Sequence, residues 1–187
     1  PYWPLPAGGE FYRPLTILTF AVDWTLSGGR PGWFHLMNAL WHGLAAVLVV
    51  LVVARWLPER AAMAAGLVFA LHPVHVEGVA NIVSRAELLA TVGILGAVLA
   101  ARRGRWAAAV LCAALAMLSK EHGVVTGVVI LLDDWLRPPG ARRYPAGVYV
   151  ALGATTVAYL GLWAAVGRAA TADVATPFLG AGSFGRL

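Results

Sequence analysis

The side chains best suited to chemistry lie in one stretch, Phe69 to Leu89, which reads FALHPVHVEGVANIVSRAELL. Two histidines, two glutamates, an asparagine and an arginine are set there between apolar runs. These types hand on protons, hold anions or ligate metals, and in so apolar a chain such work is their default reading. Pro73 suits the first turn of a helix, so His72 should end one helix and a second should begin. On that second helix Glu77, Asn81, Ser84 and Arg85 fall at i, i+4, i+7 and i+8, which predicts one polar face. A second polar knot is Ser119-Lys120-Glu121-His122-Gly123, and a third is the stripe His35, Asn38 and His42 at i, i+3 and i+7. Each has a plainer reading: His72 as a helix cap, His75 as packing, Glu77 with Arg85 as an ion pair, and Lys120 with Glu121 as a pair at a helix break.

The composition says what must position these groups. The 187 residues are 60% hydrophobic and 12% charged, with a mean hydropathy of +0.74. Soluble domains carry roughly 25% charged residues, so the chain reads as an all-α, multi-span membrane protein. The net charge of +5 comes from arginines in short clusters between apolar runs, a pattern that sets membrane orientation and excludes a nucleic-acid face. Cys112, the single cysteine, lies in an apolar run; it excludes an internal disulfide and reads as an inert core residue. The chain opens on Pro1 without a signal-peptide pattern, which leads us to expect a piece of a longer protein. Arginine outnumbers lysine 13 to 1, a hint of a GC-rich bacterial genome. The expected location is the bacterial cytoplasmic membrane, or the endoplasmic reticulum membrane in a eukaryote.

Three regions are expected: a non-cytoplasmic loop over 1–33, a module of about six spans over 34–166, and a non-cytoplasmic loop over 167–187. Within the first, Pro14 to Leu26 sets Leu15, Leu18, Val22 and Leu26 against Thr16, Thr19 and Asp23, which reads as an interfacial amphipathic helix or, equally, as a surface loop with a short amphipathic turn and Asp23 in water. Tyr2, Trp3, Tyr12, Trp24 and Trp33 lie nearby. Phe34 to Ala54 is long enough to cross the roughly 30 Å hydrocarbon core, whereas the eleven residues of Ala61 to Leu71 cover only about half of it. Leu88 to Ala101 covers roughly two thirds. For 106–132 the charges favour reversal at SKEHG over one continuous helix. With reversal, the loops at 55–60, 102–105 and 137–143 share one side and hold eight arginines, as a cytoplasmic face requires, with Trp56, Trp106 and Trp135 as an interfacial belt. Asp133 and Asp134 are then expected in interface water, and Ala146 to Val166 is a full final span in which Thr155 and Thr156 bond their own helix. The His35/Asn38/His42 stripe, the His72–Arg85 corner and SKEHG all fall at the other end, which predicts a polar cavity sunk into the outer leaflet.

In order and spacing, FYRPLTILTFAVDWTLSGG, FHLMNALWH, LVFALHPVHVEGVANIVSRAELL and LAMLSKEHG resemble the amino-terminal membrane part of the transmembrane and tetratricopeptide-repeat O-mannosyltransferases. The resemblance covers about residues 11–135, with HPVHVE and SRAELL its most specific portion. It implies a C-type glycosyltransferase module that moves a sugar, mannose in the family, from a polyprenyl- or dolichyl-phosphate carrier to a protein hydroxyl or other acceptor on the non-cytoplasmic face. An acidic residue in the loop after the first span is typical of such enzymes. That span and the tetratricopeptide array are not in this sequence, so 34–166 would be the second to seventh spans.

Such transfer needs a base on the acceptor hydroxyl and cations on the leaving phosphate. Glu77, His72 and His75 are the candidates for the first role. Arg85, Lys120 and Arg13 are candidates for the second, with Glu121, Asn81 and His42 lining the substrate site. A divalent metal on His72, His75 and Glu77 is a competing use of the same side chains, although HPVHVE matches no standard zinc spacing. A transporter or proton-coupled channel with a His/Glu/Lys relay, and a non-catalytic scaffold, are the competing classes.

Overall fold

The computed structural model describes residues 12–141 and 143–172, with side chains as far as 166. The expectations placed on Tyr2, Trp3, Arg142 and 173–187 lie outside these residues. Among the described residues the structure is helical without strands, as an all-α membrane module requires.

Helix α1 (Pro14–Ser27) starts with proline in its first turn and ends at Gly28, whose φ of 64° forms a left-handed cap, its N–H donating to the Trp24 carbonyl. It lies against the bundle with its polar side inward. Thr16 and Asp23 are buried, while Ile17, Leu18, Val22 and Leu26 are exposed. The two-faced pattern is as expected, but Asp23 is not in water. A helix whose apolar side faces outward is the arrangement lipid favours, because there the polar groups must find protein partners.

Helix α2 (Pro31–Val53) is followed by α3 (Glu59–Leu71), α4 (Val76–Ala80), α5 (Arg85–Arg102), α6 (Trp106–Ser119), α7 (Thr126–Trp135) and α8 (Ala146–Ala172). Pro31–Val53, Ile82–Arg102 and Ala146–Val166 are long and apolar enough to cross a membrane; Glu59–Leu71 and Pro73–Ala80 form a pair bent by 47°. Of the six expected spans, α6 and α7 are therefore present as short helices only.

Around α5 the packing depends on small side chains. Ala90, Ala97 and Ala101 of α5 and Ala109, Ala113 and Ala116 of α6 are fully enclosed, and a Cβ on Gly93 would lie 2.8 Å from the Ala116 Cβ and 2.9 Å from the Cys112 carbonyl oxygen. Lipid tails are as apolar as leucine, so close backbone approach and dispersion, rather than burial from water, hold such a pair together.

The continuous polar face expected from Glu77 to Arg85 is not formed. Asn81 takes an extended conformation (φ −84°, ψ 117°) between α4 and a 3-10 turn at Ile82–Ser84, and its side chain accepts from the Val83 N–H. His72 does the same upstream, extended, with its Nδ1 accepting from the Val74 N–H. Both side chains offer the backbone an alternative to the helical ladder. The carbonyls freed at the Asn81 break are met by the fully buried Asn38 amide, which donates to Asn81 at 3.2 Å and to Val79 at 3.4 Å.

The chain does reverse at SKEHG. Lys120 is extended (φ −156°, ψ 146°) after α6, and Glu121–Val125 forms a 3-10 segment before α7. That segment folds back so closely that a Cβ on Gly123 would lie 2.4 Å from the Ala116 carbonyl carbon. Ile130 of α7 then joins Ala97, Ala109, Ala113 and Met117 in one core.

At the arginine-rich end, Arg102 donates to the Val52 carbonyl at 2.6 Å and to Asp133 at 2.5 Å, with its guanidinium 4.5 Å from the Trp56 ring centre. This one side chain ties the ends of α2, α5 and α7. Asp133 and Asp134, expected in interface water, are buried and hydrogen-bonded. Tyr144 donates its hydroxyl to Asp133 (2.7 Å) and its N–H to Asp134 (3.1 Å), and the Tyr149 hydroxyl donates to Asp134 at 2.8 Å. In α8 Thr155 and Thr156 bond the carbonyls of Ala151 and Leu152, as expected.

Candidate active site

The bend after α3 and the reversal after α6 bring most of the candidate residues to one end of the bundle, around two cavities. The first, about 400 Å³, is lined by His75, Glu77, Ser84, Glu87 and Thr91, with Phe69 and Leu88 among its apolar walls. The second, about 470 Å³, is lined by His35, His42, His72 and His75 with apolar neighbours from α3 and α4. His75 lines both. Its ring is held by Phe69 at 4.3 Å and His42 at 5.3 Å between centres, with His72 at 6.4 Å.

His42 is buried, and its Nε2 lies 3.1 Å from the Ala70 carbonyl oxygen. A carbonyl only accepts, so the Nε2 N–H donates to it. The His42 Nδ1 is buried without a hydrogen-bond partner among the described residues. His72 and Glu77 are exposed at the mouth of the corner, and Asn81 is exposed with its carbonyl oxygen committed to the break.

Glu87, on the first turn of α5, is the residue that spacing alone did not single out. Its carboxylate pairs with the Lys120 ammonium and lies 3.4 Å from His122 Nδ1. Burial first, then the positive charge of Lys120, holds His122 below the ordinary imidazole range, so near neutrality it meets Glu87 as an uncharged ring. Burial and the Arg13 guanidinium likewise push the Lys120 ammonium down, against Glu121. Arg13 makes two hydrogen bonds to Glu121, at 2.7 and 3.1 Å. For Glu121, burial alone would raise the carboxyl, but the Arg13 hydrogen bond, its own backbone and the two cations outweigh it and keep it low. The result is a chain of alternating charge, Arg13, Glu121, Lys120 and Glu87, running from α1 to the first cavity.

Arg85, expected as a phosphate ligand, is not part of that chain. It is fully buried, pairing with Asp23, donating to Asn38 Oδ1 at 2.8 Å and to the Phe34 carbonyl at 3.2 Å, with its guanidinium 4.5 Å from the Phe20 ring centre. The Trp33 indole N–H donates to the other Asp23 oxygen at 3.1 Å. Arg85 is therefore an internal tie between α1, α2 and α5, and its ion pair is with Asp23 rather than with Glu77 as the plainer reading had it. Asp23 lies 62 residues earlier in the chain, beyond the reach of any local spacing rule. Among the described residues no three His, Cys, Asp or Glu side chains converge on a point where one metal ion would sit, so His72, His75 and Glu77 are not gathered as a donor set.

The chain is 37% identical over 147 residues to protein O-mannosyl-transferase TMTC3 of Mus musculus, covering 71% of this chain and 16% of that protein. It is 37% identical over 154 residues to protein O-mannosyl-transferase Tmtc1 of Drosophila melanogaster, covering 76% of this chain and 18% of the relative. To protein O-mannosyl-transferase TMTC4 of Homo sapiens it is 37% identical over 152 residues, 65% of this chain and 20% of the relative. The chain thus spans a fifth or less of the length of these relatives. No family model and no solved structure matches it.

Proposed function

From the premise that this chain belongs to the amino-terminal membrane region of the transmembrane and tetratricopeptide-repeat O-mannosyltransferases, we propose that the whole protein is a membrane glycosyltransferase. It moves a sugar, mannose by homology, from a polyprenyl- or dolichyl-phosphate donor to a protein hydroxyl on the non-cytoplasmic face. One observation supports this reading most. A cavity of about 400 Å³ carries Glu77, His75, Ser84 and Glu87 on its wall, and the Lys120 ammonium sits on Glu87 at its edge.

In the proposed step the acceptor oxygen attacks the anomeric carbon, the bond from that carbon to the carrier phosphate breaks, and the phosphate leaves as the lipid monoester. The acceptor proton goes to the Glu77 carboxylate, with His75 alongside to orient or relay it. Lys120 and Arg13 face the growing negative charge on the leaving phosphate. A phosphate drawing Lys120 away from Glu87 would leave Glu87 free to accept a hydrogen bond from the sugar. Arg85 serves by fixing α1, and with it Arg13, against the bundle.

The charge chain is also compatible with a proton relay, but the relatives are named as mannosyltransferases, and transport receives no comparable support. The test is sugar transfer by the full-length protein and its Glu77→Gln variant, using a synthetic mannosyl phosphopolyprenol and an acceptor peptide. Loss of about a hundredfold in the variant, at unchanged folding, is the expected result. Unaltered transfer would remove Glu77 from the mechanism, and no transfer by the parent would remove the transferase reading itself.

A further inference from the structure

At the end of the bundle opposite the candidate active site, two cavities meet. One, about 330 Å³, is lined by Arg102, Arg137, Arg143, Trp106, Tyr144 and Pro145. The other, about 660 Å³, is a groove between α6 and α8 whose walls include Val110, Leu111, Ala114, Val148 and Ala151, with Thr155 its one hydroxyl. Trp106 and Pro145 line both, so a basic chamber opens onto an apolar trough at a tryptophan.

From this junction we infer a binding site for an anionic, phosphate-headed membrane lipid, its phosphate among Arg102, Arg137 and Arg143 and one chain along the α6–α8 groove. Three things fit that occupant better than another helix. The chamber wall carries three guanidiniums, while the carboxylates that pair with two of them, Asp133 with Arg102 and Asp134 with Arg137, do not line it. All three guanidiniums are already set in orientation, Arg143 by donating to the Asp134 carbonyl. Arg102 is stacked on Trp56 and tied to Asp133, and Arg137 sits 3.7 Å from the Tyr144 ring centre and 3.3 Å from Asp134. A cation held in place gives up little side-chain freedom when an anion arrives. The third fit is one of depth. Arg103 and Arg105 are exposed in the loop beside the chamber, so the chamber lies where arginines meet headgroups and the groove lies where acyl chains run. A protein helix would match the trough but would leave three guanidiniums facing its backbone.

This site is separate from the proposed transfer chemistry, and its test does not depend on that activity. The full-length protein, purified in neutral detergent, is titrated with short-chain phosphatidylglycerol, short-chain phosphatidylcholine and inorganic phosphate, with bound species read by native mass spectrometry. Phosphatidylglycerol should bind saturably and in preference to the other two. Arg143→Gln should weaken it by about fivefold, and Ala114→Trp, which fills the groove, should weaken it at least as much. Equal binding of the two lipids, or wild-type binding by both variants, overturns the inference. Inorganic phosphate binding as tightly as the lipid, undiminished in Ala114→Trp, would make the chamber a free-anion site and also overturns it. So would efficient cross-linking of Ala114→Cys to another segment or a second copy, which would put protein in the groove. Should Arg143→Gln fail to fold, Ala114→Trp alone decides.

Discussion

Arg85 and Lys120 carry the same charge, and the family resemblance makes both candidates for phosphate, yet burial separates their tasks. Arg85 has no accessible surface and spends its donors on Asp23, Asn38 and Phe34, whereas the Lys120 side chain keeps 20% exposure at the cavity edge beside a half-exposed Glu87. Removing the carboxylate from the first pair leaves a guanidinium that water cannot reach. Asp23→Ala should therefore cost about 3–5 kcal/mol, the usual scale for a buried charge that loses its partner, read as a drop in resistance to chemical unfolding. A substrate-binding role for Arg85 predicts something else, namely lost transfer at wild-type stability, so measuring both separates the two. Ionisable residues worth attention were legible in the sequence because so apolar a chain carries few. Their partners were not, since Asp23 and Glu87 reach Arg85 and Lys120 across 62 and 33 positions and only the fold sets those distances.

Elements here are shaped by where helices stop. The break at Lys120 was readable, because a lysine, a glutamate and a histidine in succession cannot lie in lipid and the arginine clusters agree with a reversal. The break at Asn81 was not, because an asparagine at i+4 from a glutamate fits a helix equally well. What decides is Asn38, from another helix, which takes up the carbonyls that the break exposes. The reversal depends on Gly123, and there the constraint is steric rather than conformational. A methyl group would lie within 2.6 Å of three backbone atoms of Ala116 and Met117, and backbone, unlike a flexible side chain, cannot swing aside. Gly123→Ala should accordingly destabilise by roughly 1–3 kcal/mol and loosen the Arg13–Glu121 and Lys120–Glu87 contacts that start from the same turn. Amide hydrogen exchange should show Glu121–Val125 exchanging faster in the variant. Unchanged exchange together with unchanged stability would mean that the turn has room to move away from α6.

For the molecule as a whole, the two ends differ in chemistry. One end gathers imidazoles, carboxylates and Lys120 around two cavities. The other gathers arginines, bound to aspartates and aromatic rings, about the ends of α2, α5 and α7. Under the proposed function the positive-inside rule gives this difference an expected direction, with the arginine end toward the cytoplasm and the cavities open on the other side, where the proposed donor and acceptor would meet. In the full-length protein with Cys112 and every cysteine outside this sequence replaced by alanine, single cysteines at Val74 and Pro139 report the two ends, both positions being exposed. A thiol reagent that does not cross membranes, added to intact cells for a plasma-membrane protein or to sealed right-side-out vesicles, should label Val74→Cys. Pro139→Cys should react only after permeabilisation. The opposite pattern would put His75, Glu77 and Glu87 in the cytoplasm and defeat the proposed site of transfer, while leaving intact the helix breaks, the Asp23–Arg85 tie and the lipid groove, none of which depends on orientation.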